Sequence, residues 1–170
     1  GTNHPRMLSA LQKAKKNGAT IIAINPLKET GLVAFANPQQ VGGMLGRATR
    51  ITDIYLQVKI NGDMALLKAI MLRLLAKEAA NPGTVLDIAF IQQKTKGYED
   101  FVAHLQQEKE EDLLKICGIE ASEVEKVANV LAQKKKIIAC WAMGLTQHKN
   151  AVATIQDVVN LLLMKGSIGK

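Results

Sequence analysis

Hydrophobic positions along the chain follow two periodicities. Nearly continuous apolar runs, rich in β-branched or aromatic residues, occur at 20–24 (TIIAI), 53–58 (DIYLQV) and 136–141 (KIIACW). Runs of this kind predict strands covered on both faces by helices. The segments between them follow a 3.6-residue repeat instead. Residues 5–16 set Met7, Leu8 and Leu11 on one side and close on Lys13, Lys15, Lys16, Asn17 and Gly18, a helix C-terminal signature. Residues 63–80 repeat Leu67, Ile70, Met71, Leu74 and Leu75 along one stripe. Residues 122–133 bury Val124, Val127, Ala128 and Leu131 behind a capping box of Ser122 and Glu125. Residues 149–164 are apolar around most of their circumference, which predicts a central helix packed on both sides. Shorter helices are expected at 87–94, 98–107 and 111–117. With 122–133 they form a helical segment, about 86–133, that interrupts the alternation of strands and helices. The charge run Glu108-Lys109-Glu110-Glu111-Asp112 reads as a solvated surface turn, and 30–50, rich in Gly, Asn and Gln, is the least regular stretch.

This order predicts an α/β fold of three layers, a largely parallel sheet between helices, in a single domain spanning 1–170. Composition narrows the chemistry. Two cysteines, Cys117 and Cys140, and three scattered histidines cannot supply the four ligands of a structural zinc site. The balance of 22 Lys+Arg against 15 Asp+Glu gives a formal charge of +7. Nucleic-acid binding would call for a basic stripe with interleaved aromatics; there are six aromatics, and Trp141 falls in a predicted buried strand, so no nucleic-acid partner is expected. Several lysines sit at helix C-termini, where the dipole favours them. The longest apolar stretch, 158–164, is broken by Asn160 and too short to span a bilayer. The chain opens on a turn and closes on a glycine-punctuated loop, so it reads as an internal piece of something longer, with a cytoplasmic location.

In open parallel sheets, ligands bind beyond the carboxyl ends of the strands. The turns there are Asn25-Pro26-Leu27-Lys28-Glu29, Asn61-Gly62-Asp63 and the stretch from Met143 through Gly144 and Gln147 to His148. Gly62 permits a tight backbone approach. Asp63 admits two readings: a helix cap contributing about 1 kcal/mol, or a carboxylate accepting two hydrogen bonds from an amidine-like edge such as that of guanine. Gly144 at a strand-to-helix turn suits phosphate, although it completes no GxGxxG or Walker pattern. Gln147 offers a donor and an acceptor. His148 has no second acid, base or nucleophile beside it in sequence and reads as a surface histidine.

Taken together, Gly-Thr-Asn-His-Pro-Arg at 1–6, Asn-Pro-Leu-Lys-Glu-Thr at 25–30, Asn-Gly-Asp-Met-Ala-Leu-Leu at 61–67 and Trp-Ala-Met-Gly-Leu-Thr-Gln-His at 141–148 resemble the molybdopterin oxidoreductase family of the DMSO-reductase superfamily. Within it they look like formate-dehydrogenase-like alpha subunits. The tail at 153–169, with its Gly166-Ser167-Ile168-Gly169 turn, is similar to that family too. The resemblance implies a Rossmann-like dinucleotide-binding domain of a larger catalytic subunit. That subunit would use Mo or W held by bis-molybdopterin guanine dinucleotide and act on a small substrate such as formate by two-electron transfer. It implies that Gly1, Thr2 and Asn3 end a cofactor loop and that Asn25, Pro26, Leu27, Lys28 and Glu29 lie at a nucleotide end. It also implies that Asn61, Gly62 and Asp63 carry the guanine-recognising carboxylate, and that Met143, Gly144 and Gln147 contact the cofactor near its pterin and phosphates. Two departures stand out: Asn25-Pro26-Leu27 replaces the usual Asp-Pro-Arg, and Asn61-Gly62-Asp63 replaces Gly-Thr-Asp. The metal ligand and any iron–sulfur cluster would lie upstream, the partners would be the remaining domains and an electron-transfer subunit, and the piece alone would be inactive. A parent that is membrane-associated or periplasmic is the alternative location. The competing class is a non-catalytic nucleotide-binding or protein-interaction module.

Overall fold

The computed structural model describes residues 5–37, 39 and 41–169. These form a mixed α/β chain, mostly helical, that divides into two compact units, one up to Gln57 and one from Val58.

In the first unit, helix α1 (Pro5–Lys16) ends at a turn where Gly18 adopts φ +83°, a conformation open to glycine without strain. Strands β1 (Ile22–Ile24) and β4 (Ile54–Leu56) pair in parallel, Ile22 opposite Ile54 and Ile24 opposite Leu56. Between them lie the single turns α2 (Thr30–Val33) and α3 (Val41–Met44) and the two-residue strands β2 (Ala34–Phe35) and β3 (Thr49–Arg50), which pair antiparallel. Ile51, Leu56 and Leu8 are the buried apolar anchors, and buried Gln12 reaches Thr49 Oγ1 at 2.8 Å. Asp53 accepts from Lys15 and from the Ile21 N–H, which ties the residue before β4 to the one before β1. Both expected strands are therefore present, two or three residues shorter than their apolar runs.

The second unit is built around α4 (Asp63–Ala80), which buries Ala65, Leu66, Leu67, Ala69, Ile70, Met71 and Leu74. Around it come α5 (Ile88–Lys94), α6 (Tyr98–Leu105), α7 (Glu110–Cys117), α8 (Ala121–Gln133), α9 (Met143–Thr146) and α10 (Ala151–Met164). Helices α7, α8 and α10 pack against α4. The central helix is thus α4 rather than 149–164: α10 buries Thr154, Asp157, Val158, Leu161 and Met164 along one face and leaves Val152 exposed.

Three local expectations give way to tertiary demands. Residues 136–141 form no strand; their backbone makes no hydrogen bond among the described residues, and Ile138 is 89% exposed. Each described sheet is a single pair, and a strand without a hydrogen-bonded neighbour has nothing to hold it. Ser122 and Glu125 form no capping box: α8 starts at Ala121, and Glu125 instead takes Arg73 Nη1 at 2.7 Å and Lys77 Nζ at 2.5 Å from α4. The acidic run is not merely solvated either. Glu108 pairs with Lys68 and Glu110 with Arg73 Nε at 2.5 Å, so the start of α7 is held on α4. At the far end, buried Lys165 donates to the carbonyls of Val85 and Ala132, joining the α10 terminus to α8.

Candidate functional site

The expected site residues fall in both units. Gly1, Thr2 and Asn3 lie outside the described residues.

In the first unit, the loop after β1 is braced from within. Asn25 N–H continues the sheet pairing to Leu56 O at 3.1 Å, its Nδ2 donates to Glu29 Oε1 at 2.9 Å, and its Oδ1 accepts from Leu27 N–H at 3.2 Å. The Tyr55 hydroxyl donates to Leu27 O at 2.6 Å and accepts from Glu29 N–H at 3.2 Å, while Gln57 donates to Pro26 O at 2.9 Å. Asn25 and Glu29 thus spend their polar groups on the loop itself. Leu27 and Lys28 are left exposed, an apolar surface and a cation on a fixed backbone. The first unit also holds most of the surplus charge: seven Lys/Arg against two Asp/Glu.

In the second unit, the turn before α4 is tightly packed. Asn61 takes φ +66°, unusual for a residue with a side chain but tolerated by Asn. Gly62 has no room for more: a Cβ would stand 2.8 Å from Cys117 Cα, 2.9 Å from Lys59 O and 3.2 Å from Ile116 O. Gly62, not Asp63, occupies the N-cap position, without a side-chain cap bond. Asp63 is half-buried at the first helical position, and no other residue donates a hydrogen bond to its carboxylate among the described residues. Asp63 lies one residue past the N-cap position, at the positive end of α4, and acceptor capacity remains on its carboxylate. Burial pushes the Asp63 carboxyl above its ordinary value, its own N–H and nearby His148 opposing the shift. His148 is partly buried, and its charge is one of the influences that lower the Asp63 carboxyl pKa.

The segment carrying Met143, Gly144 and Gln147 is exposed, and a Cβ on Gly144 would meet nothing within 4 Å. It forms the single turn α9, followed by α10 from Ala151. One turn has little macrodipole, so any anion preference here rests on local donors: the N–H groups of Met143 and Gly144 make no backbone hydrogen bond among the described residues. Two neighbouring groups escaped the sequence reading. Asn150 Oδ1 is buried and has no hydrogen-bond partner among the described residues, an acceptor left without a donor. Asp157, 8% exposed, lines a cavity of about 220 Å³ with Met64, Lys68, Phe101, His104 and Asn160. The available signal was a carboxylate in an otherwise apolar helix face, beside Val158 and Leu161. Among the described residues, no helix is long and apolar enough to cross a membrane.

No family model matches the chain. It is 45% identical over 170 residues, all of this chain and 22% of the relative, to an uncharacterized oxidoreductase of Mycobacterium tuberculosis. It is 41% identical over 175 residues to the protein YdeP of Escherichia coli, covering 100% of this chain and 23% of that protein. It is 30% identical over 169 residues to formate dehydrogenase H of Escherichia coli, covering 99% of this chain and 20% of the enzyme. Among solved structures, acetylene hydratase from Pelobacter acetylenicus shares the fold with a TM-score of 0.76 at 20% identity, over 96% of this chain and 19% of that one. The chain spans about a fifth of the length of the curated relatives it matches.

Proposed function

Because this chain belongs to the molybdopterin oxidoreductase family, we propose that it is a Rossmann-like cofactor-binding domain for molybdopterin guanine dinucleotide, in a parent enzyme of formate-dehydrogenase type. When bound, the cofactor's Mo or W supplies two-electron exchange with a small substrate such as formate. The chain's own residues bind and orient. The Asp63 carboxylate accepts from the N1–H and the N2 amino group of guanine, a two-bond edge that adenine does not present. The open backbone at Met143 and Gly144 offers N–H groups to phosphate, with Gln147 beside them. The loop from Asn25 to Glu29 presents exposed Leu27 and Lys28 to a nucleotide, and the positive charge of the first unit favours a multiply anionic ligand. The metal ligand, any iron–sulfur cluster and the electron partner belong to the rest of the parent.

The observation that carries this reading is Asp63: a half-buried carboxylate on a turn with no space for a Cβ, capping no other residue's N–H. Hydrogen bonds to a charged group contribute about 1.5–3 kcal/mol, so Asp63→Asn should weaken guanine-nucleotide binding by roughly 10–100-fold. The test is the guanine-dinucleotide content of the purified full-length protein, together with GDP and ATP titrations of its cofactor-free form. Cofactor content and GDP affinity unchanged in Asp63→Asn would refute the assignment. Indifference of the unmutated protein to both nucleotides would favour a protein-interaction module.

A further inference from the structure

The turn that carries Asp63 is fastened to the C-terminal end of α7, and one residue provides most of the fastening. A helix leaves its last carbonyls without intrahelical donors, and cations are favoured there. Lys59 meets two of those carbonyls: its backbone N–H donates to Cys117 O at 2.9 Å and its ammonium to Lys115 O at 3.0 Å. Its methylenes lie over Gly118, where a Cβ would fall 2.6–2.8 Å from them; Gly118 sits at φ +70° and donates to Leu114 O at 2.8 Å. The Lys59 carbonyl in turn accepts from Gly62 N–H at 2.8 Å. Gly62 is pressed against Cys117 Cα closely enough to exclude a methyl group, and Cys117 is fully buried. Helix α7 is itself held on α4 by the Glu110–Arg73 pair. Backbone contacts thus run from the α7 terminus through Lys59 to Gly62, the residue before Asp63, and the Lys59 ammonium adds a side-chain tie to the same terminus.

We propose that Lys59, docked on the α7 terminus, is a positioning residue that sets where the Asp63 carboxylate meets a purine base and so determines guanine selectivity. This rests on the base-binding reading of Asp63. Two hydrogen bonds to one base edge demand a carboxylate placed to within a few tenths of an ångström, whereas contacts to sugar and phosphate tolerate more movement. Releasing the strap should therefore reduce discrimination between bases more than overall nucleotide affinity.

The test uses the cofactor-free full-length protein and calorimetric titration with GMP and IMP, which differ only in the N2 amino group. Wild type is expected to bind GMP about tenfold more tightly, the worth of one hydrogen bond to a charged acceptor. Lys59→Met keeps the methylenes over Gly118 and removes the ammonium. It should cut the ratio to about threefold or less, with GMP affinity falling more than IMP affinity, and Lys59→Arg should restore the ratio. A purely structural lysine would lower both affinities together or neither. Lys59→Gln, which keeps a polar surface, serves the same comparison if the Met variant fails to fold. If Lys59→Met and Lys59→Gln keep the wild-type ratio while Asp63→Ala abolishes it, the positioning role is refuted and the base site stands. If wild type shows no preference, the base-binding reading of Asp63 falls and this inference falls with it.

Discussion

Replacing Gly62 with alanine adds one methyl group at the tightest point of the turn before α4, and its cost can be worked from the surroundings. Gly62 lies at φ −87° and ψ −1°, a region alanine enters without strain, so the backbone conformation itself adds nothing. The cost is steric. The new carbon would stand 2.8 Å from Cys117 Cα and 2.9 Å from Lys59 O, both backbone atoms that cannot swing aside. Carbon contacts are comfortable at about 3.5–4.0 Å, so the turn and the α7 terminus must separate by roughly 1 Å. Over-packing of this kind costs about 1–3 kcal/mol, which lowers Tm by roughly 2–12 °C in a chain of this size. Gly144→Ala is the matched control: the same loss of unfolded-state freedom, no neighbour within 4 Å, and a small gain in helix propensity. Thermal denaturation of both variants should therefore separate them clearly, with Gly62→Ala lower. Hydrogen exchange at the Lys59 amide, which donates to Cys117 O, should accelerate in Gly62→Ala alone. Were the two variants to melt within about 1 °C of each other, with the Lys59 amide as protected as in wild type, the close approach of turn and helix would be wrong.

Asp157 gives a pH signature of defined sign. Burial raises its carboxyl pKa; Lys68, the Asn160 amide and His104 oppose the shift, while Glu108 adds to it. The native state therefore takes up its proton before the unfolded chain does, and the ionised group destabilises the fold above both pKa values. Asp157→Asn should raise the urea midpoint near pH 8, with the gain fading as pH falls towards about 4; a lowered midpoint at pH 8 would contradict this. Arg73 bridges Glu110 of α7 and Glu125 of α8 from a largely buried position, so Arg73→Met should cost about 1–2 kcal/mol, between the values for exposed and buried pairs. Urea denaturation at low and high salt would measure it, and a loss abolished by salt would mean that the pairs act as exposed ones. Cys140 is exposed, whereas Cys117 is buried and its thiol pKa is raised by that burial. A thiol reagent should modify one cysteine in the native protein and both after unfolding; rapid native modification of both would show that the α7 terminus opens.

Elements whose signal is local were legible. The α4 stripe at 63–80 needs only the 3.6-residue repeat, and the helix spans those residues. Likewise the runs around Ile22 and Ile54 carry their own strand preference, trimmed at the ends where pairing stops. The third run, 136–141, has the same composition, yet a strand exists only through a hydrogen-bonded neighbour, and composition cannot supply one. Glu125 makes the same point in side chains. Its spacing from Ser122 satisfies a capping box, but two cations on a helix more than 40 residues earlier compete for the carboxylate and win.

For the site, the chain order alone marked the turns at 25–29, 61–63 and 143–147 as candidate positions, because small and amide residues there follow apolar runs. It could not decide between cap and ligand for Asp63, since both need the same residue in the same place. Only the tertiary structure sets which residue takes the N-cap position, Gly62, and how closely the α7 terminus approaches the turn. Nor could it find Asn150 Oδ1 or Asp157, whose significance is burial, a property conferred by helices packed from elsewhere in the chain. Periodicity and turn chemistry are written in neighbouring residues; desolvation, exclusion of a methyl group and competition between charges arise only when distant segments meet.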